Sequence, residues 1–152
     1  MRLLPPPLHR SALRLAHRLR VLWWRWRRPL VEGVCIIARD GAGRVLLIRQ
    51  SYGRGGWTLP GGGIRRGEDP AHAAAREFAE ELRCALTALT LLAVREENLH
   101  GARNRVHLFA ARLEGEPRPD GREVVAARLF DLKELPPGVS ELARRRLALL
   151  RD

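Results

Sequence analysis

No apolar run in this chain approaches the length that a membrane-crossing helix requires. Near its start arginine interrupts every apolar stretch and no small-residue cleavage site follows, which argues against a secretory signal. A mitochondrial transit peptide is the alternative, but serine is scarce. Only two cysteines occur in 152 residues, Cys35 and Cys84, without C-x-x-C spacing or a near partner. They read as small core residues, which suits a reducing, cytoplasmic setting and gives no disulfide framework. There is no internal repeat, and low complexity stops at Pro5-Pro6-Pro7. Lysine is almost absent, with Lys133 standing against 27 arginines. A chain of this length has room for one real core and little reason to carry a second domain.

What is present is concentrated between Gly62 and Cys84, GGIRRGEDPAHAAAREFAEELRC. Asp69 is a good helix N-cap, Pro70 suits the first helical position, and Ala71, Ala73, Ala74 and Ala75 are strong helix formers. Phe78 and Leu82, four apart, give that helix an apolar stripe. Glu77, Glu80 and Glu81 stand at relative positions 0, 3 and 4, so they share the neighbouring face. Carboxylates crowded in this way repel one another, and a hard cation resolves the repulsion. Just upstream, Trp57-Thr58-Leu59-Pro60-Gly61-Gly62-Gly63 is a breaker-rich loop whose glycines let backbone approach a ligand closely. Glutamates at helical spacing are more often a solvated face, and glycine clusters mostly mark turns. Their joint spacing is what points to a metal-bound phosphate.

In that joint spacing the segment resembles the Nudix box, G-x5-E-x7-R-E-U-x-E-E-x-G-U, with U a bulky aliphatic residue. Gly62, Glu68, Arg76, Glu77, Glu80 and Glu81 fall in register, and W-x-L-P-G-G-G ahead of them also looks like the family. Phe78 and Cys84 are loose matches at the U positions, and Arg83 stands where the family has a C-capping glycine. An arginine kept in αL geometry there costs about 1 kcal/mol. The resemblance implies a Nudix fold, an α/β architecture with a mixed β-sheet sandwiched between helices. It implies that Glu77, Glu80 and Glu81 bind magnesium or manganese, with the Gly61 carbonyl as a further ligand. It also implies that Arg76 holds a box glutamate and that Glu68 braces the loop against the helix. Many relatives use one more glutamate from a later loop as ligand or base. Glu123 is the best match here, with Glu96, Glu97, Glu114 and Glu116 as competitors. Trp57, Tyr52 and Arg65 lie near enough in sequence to meet a base or phosphate, although Trp57 reads equally well as core.

The rest of the chain fits one α/β domain over residues 30–152. Strands are expected over Val31–Ala38 and Arg44–Arg49 around an Asp40-Gly41-Ala42-Gly43 hairpin turn. Leu86–Arg95, Arg105–Leu113 and Val124–Phe130 read as further strands, and Ser140 caps a last helix, Glu141–Leu150.

Residues 1–29 form a basic arm. Its first 28 residues hold eight arginines and no acid, so they supply +8 of the formal +11. Ala12, Leu15, Leu19, Leu22 and Trp26 recur at helical spacing, with Trp23 and Trp24 beside them and Arg10, Arg14, Arg18 and Arg25 on another side. Such a helix suits an anionic membrane surface, where the protein would sit peripherally, or nucleic acid. The blander reading is a leucine face packed on the domain or on a second copy, a homodimer.

Two function classes follow. One is a magnesium-dependent pyrophosphohydrolase cleaving a nucleoside diphosphate linked to another moiety, as a nucleoside triphosphate or other nucleotide derivative. The other is a non-catalytic nucleotide- or RNA-binding regulator on the same fold. The intact acidic triplet favours the enzyme. Asn98-Leu99-His100-Gly101-Ala102 lacks the proline or tyrosine that marks relatives acting on ADP-ribose or dinucleoside polyphosphates, which disfavours those substrates.

Overall fold

The structure, a computed structural model, describes residues 6–27, 30–99 and 101–150, with side chains at 6–10, 24–27 and 99 outside that description. The readings of Arg10, Trp24, Arg25, Trp26 and His100 therefore fall outside the described residues. The elements are α1 (Pro6–Arg27), β1 (Leu30–Arg39), β2 (Val45–Gln50), β3 (Trp57–Thr58), β4 (Gly61–Gly63), α2 (Pro70–Leu82), β5 (Ala85–Leu99), β6 (Ala102–Glu114), β7 (Val124–Phe130) and α3 (Glu141–Ala148). Seven strands make one sheet in the order β3-β2-β1-β6-β5, with β4 added to β1 and β7 to β2. β1 and β6 run parallel while the other pairs are antiparallel, so the sheet is mixed as expected.

Period-two alternation divides the core between the two faces of the sheet. Val34, Ile36, Leu46, Ile48 and Phe109 pack with Phe78 and Leu82 of α2 on one face. Cys35, Ile37, Leu47 and Leu108 pack with Ala143 and Leu147 of α3 on the other. Fully buried Phe78 contributes about 2–3 kcal/mol by that burial. The hairpin turn is closed by the Gly43 N–H on the Asp40 carbonyl at 3.0 Å. β5 is longer than the sequence pattern indicates, and it pairs with β6 through two register shifts that break its alternation.

α1 carries the main surprise. Leu15, Leu19 and Leu22 are 60%, 58% and 62% exposed, so its leucine face is not packed on the domain. The helix turns another side to the domain, on which Leu13, His17 and Val21 are half-buried: Arg14 Nε donates to the Ser51 carbonyl at 2.9 Å, and the His17 ring lies 5.2 Å from that of Tyr52. Among the described residues no helix is long and apolar enough to cross a membrane.

Candidate active site

The acidic helix begins as its sequence dictates. Asp69 Oδ1 accepts from the N–H groups of Ala71 at 2.9 Å and His72 at 3.1 Å, with Pro70 at the first helical position. It ends at Arg83, which takes the left-handed geometry (φ 50°, ψ 36°) of the glycine it replaces and donates its N–H to the Ala79 carbonyl at 2.9 Å. The helix terminus survives the substitution.

β4 brings the glycine loop alongside, paired with β1 through Gly33–Gly63, Val34–Gly62 and Cys35–Gly61. A Cβ at Gly61 would collide with the Val34 carbonyl oxygen, and one at Gly62 with the Glu77 carboxyl group. Glycine is required at Gly61, where the obstacle is β1 backbone, whereas a larger residue at Gly62 would displace the end of the Glu77 side chain and so disturb the acidic cluster.

Arg76 joins these pieces. Its Nε donates to Glu68 Oε1 at 2.7 Å and Nη2 to Glu68 Oε2 at 2.9 Å, while Nη2 also reaches the Gly63 carbonyl at 3.0 Å. Nη1 donates to Glu77 Oε1 at 2.6 Å. The Arg76 guanidinium, aided by the Arg65 N–H, holds the Glu68 carboxyl down at about 2. Glu68 thus braces the loop against the helix.

These groups open on a cavity of about 390 Å³. Glu77, Glu80 and Glu81 of α2 line it together with Glu123, which arrives from the approach to β7. Arg76, Arg65, Gly61 and Tyr52 also contribute, as does Arg20 of α1. Glu123 is held by its backbone: its N–H donates to Asp120 Oδ1 at 3.1 Å and its carbonyl accepts from the Ser51 N–H at 2.8 Å. Glu81 is 4% exposed, and its Oε2 has no hydrogen-bond partner. Burial, then the charges of Glu77, Glu123 and Asp120, push its carboxyl up to about 9, against a hydrogen bond from the Gly61 N–H. Tyr52 is raised as well, first by burial and then by Glu123 and Glu81, with Arg20 opposing.

With all four carboxyl groups ionised, as a bound cation would require, they stand against three guanidiniums and give the cavity a formal charge of −1; with Glu81 protonated the charges balance. Among the described residues no three acidic, histidine or cysteine side chains already form a cation cage. The reason is visible: Arg76 draws Glu77, and Glu80 leans toward Arg65 at 3.4 Å and Arg76 at 3.5 Å. The donor set nevertheless fits a hard divalent ion, being all oxygen with one buried carboxylate oxygen that lacks any donor.

Trp57 requires a correction. It is buried on the α3 face, edge-on to Phe130 with ring centroids 5.1 Å apart, and does not line the cavity. Trp57 stands on β3 and Gly61 on β4, and the Leu59-Pro60 segment between these strands breaks the alternation, so closeness in sequence does not bring Trp57 to the cavity. The competitors of Glu123 also lie elsewhere. Glu96 pairs with Arg103 and Arg105, Glu97 with Arg146 and Glu116 with Arg118, and neither these nor Glu114 line the cavity. Sequence reasoning missed Arg20, which is one arginine among eight in the arm and has no motif to single it out. It also missed Asp120 as the residue that fixes Glu123, though an Asp-Gly turn ahead of a strand is the signal for it.

A family model described as the NUDIX domain matches residues 29–150. Among solved structures, a MutT NUDIX hydrolase from Burkholderia pseudomallei superposes with a TM-score of 0.72 at 30% identity, covering 80% of this chain and 98% of that one. The chain is 41% identical over 61 residues to an RNA pyrophosphohydrolase of Teredinibacter turnerae (strain ATCC 39867 / T7901), covering 40% of this chain and 36% of the relative. It is 40% identical over 105 residues to an isopentenyl-diphosphate Delta-isomerase of Frankia alni (strain DSM 45986 / CECT 9034 / ACN14a), covering 60% of this chain and 53% of the relative. The chain thus spans from about a third to about half the length of these curated relatives. The family match contains every residue of the acidic cavity except Arg20, and with it the chain belongs to the NUDIX domain family.

Proposed function

We propose that this chain is a divalent-cation-dependent pyrophosphohydrolase, cleaving a nucleoside diphosphate linked to another moiety, as a nucleoside triphosphate or other nucleotide derivative. The observation that carries this reading is the buried, donorless Glu81 Oε2 in a cavity shared with Glu77, Glu80 and Glu123. Glu77, Glu80 and Glu81 would hold magnesium or manganese, with Gly61 beside them. When bound, the ion screens the phosphate charges and lowers the pKa of a coordinated water. Arg76 keeps Glu77 and the glycine loop in register, which fixes where a substrate phosphate can sit. Arg65 and Arg20 supply positive charge at the cavity wall for the oxygens of the scissile anhydride. Glu123 takes a proton from an attacking water, a role supported by its position at the cavity wall and by the Asp120 turn and Ser51 N–H that hold its backbone. Residues 1–29 act in this reading as an arm serving the domain of 30–152.

The reading is tested with nucleoside triphosphates, nucleotide sugars, ADP-ribose, dinucleoside polyphosphates, capped RNA and a prenyl diphosphate, assayed with magnesium, manganese and chelator. Metal-dependent cleavage of a phosphoanhydride in a nucleotide is the expected result. Double-bond rearrangement of the prenyl diphosphate without hydrolysis of any nucleotide would contradict it. Tight nucleotide binding without turnover under every metal condition would favour the non-catalytic regulator.

A further inference from the structure

A second cavity of about 370 Å³ adjoins the acidic one, and Tyr52 lines both. Arg14 of α1 and Arg54 of the loop after β2 wall it, with Gln50, Ser51 and Val125. Two guanidiniums and no carboxylate give it a formal charge of +2, while its neighbour stands between neutral and −1. Arg14 is pinned there, its Nε donating to the Ser51 carbonyl at 2.9 Å. Ser51 is only 7% exposed, yet its Oγ has no hydrogen-bond partner. Leaving such a hydroxyl unmatched disfavours the fold unless a ligand oxygen accepts from it. Guanidinium forks beside a hydroxyl are a recognition set for phosphate oxygens, and the volume falls within the range of small-molecule sites.

We propose that this basic cavity is a second anion subsite, which takes a phosphate ester carried by the substrate beyond its cleaved anhydride. The proposal rests on the pyrophosphate reading of the acidic cavity for the other end of the substrate. The preferred substrates are nucleotides with a second phosphate on the far side of the nucleoside, either a terminal monoester or a phosphodiester leading to another nucleotide. Tyr52, between the two cavities, faces the part that joins them.

The test is calorimetric binding of three probes to the full chain with magnesium: adenosine 5′-monophosphate, adenosine 3′,5′-bisphosphate and a 5′-phosphorylated dinucleotide. None contains an anhydride, so the measurement does not depend on turnover. The wild type should bind the bisphosphate about tenfold tighter than the monophosphate, the scale of one charge-assisted contact. Arg54→Glu, in an exposed loop, should bring that ratio to about one, and Arg14→Ala should reduce it in the same direction. A matching gain by the dinucleotide identifies the diester as sufficient, and a gain by the bisphosphate alone identifies a terminal phosphate. Equal affinity for the mono- and bisphosphate in the wild type, no binding of the bisphosphate, or a preference that survives both substitutions overturns the proposal. A preserved preference in a protein that hydrolyses no nucleotide would remove the catalytic reading and leave the subsite standing.

Discussion

Arg76 grips Glu68 at two points, Nε to Oε1 at 2.7 Å and Nη2 to Oε2 at 2.9 Å, and so ties the acidic helix to the loop before it. The contact is charge-assisted and holds the carboxyl at about 2. Its folded value lies below its unfolded one near ~4.3, so the stabilisation is complete above that pH and is lost as pH falls through about 2. A carboxyl NMR titration should place the Glu68 midpoint near 2, and Arg76→Ala should return it to the ordinary range. An ordinary midpoint in the wild type would refute the brace.

Arg83 occupies a left-handed position that glycine adopts without strain. Arg83→Gly should stabilise the protein by about 1 kcal/mol and raise Tm by about 2–4 °C, with turnover unchanged. Calorimetry checks this, and a lower Tm would mean that the arginine side chain contributes more than its backbone costs.

Much of the fold can be read from the chain because its signals are local. Asp69 and Pro70 start α2, Ser140 starts α3, and Val124–Phe130 appears with the bounds the pattern predicts. The parallel pairing of β1 with β6 is a long-range event that no local spacing encodes. Trp57 illustrates the limit for the site: proximity in sequence to Gly61 says nothing about which face of a sheet a side chain takes. The arm illustrates another. Helical spacing identifies its leucine face, but the helix docks by another side, and Arg14 and Arg20 line two adjoining cavities assembled from distant segments.

Glu81 gives a prediction about the metal. Burial and the charges of Glu77, Glu123 and Asp120 push the Glu81 carboxyl up to about 9, so without metal it is protonated at pH 7 in the folded protein. In the unfolded chain the carboxyl, with a pKa of ~4.3, is ionised there, so folding takes up a proton that Glu81→Gln does not need. The chelator-treated variant should therefore melt higher than the wild type at pH 7, by a margin that grows as pH climbs to about 9 and vanishes below roughly pH 4. The same change should abolish the rise in Tm that magnesium or manganese gives the wild type. A variant that keeps this metal response would show that the ion is held elsewhere.

The two faces of α1 should behave oppositely. Leu19→Glu, on the exposed face, should change stability by no more than about 0.5 kcal/mol. Arg20→Ala, at the cavity wall, should raise KM about tenfold while kcat changes much less. If Leu19→Glu destabilises strongly and Arg20→Ala leaves KM unaltered, the helix docks by its leucine face.

The central claim is that the carboxylates of α2 work through a divalent ion to hydrolyse a phosphoanhydride. Glu80 is its sharpest probe because its side chain is 55% exposed, so Glu80→Gln leaves the fold intact. Turnover of the best substrate should be measured with magnesium for the wild type and for Glu80→Gln, and with excess chelator for the wild type. The variant should lose at least about tenfold in kcat/KM at unchanged Tm, and the chelated enzyme should be inactive until magnesium is restored. Equal turnover in all three samples would contradict the claim.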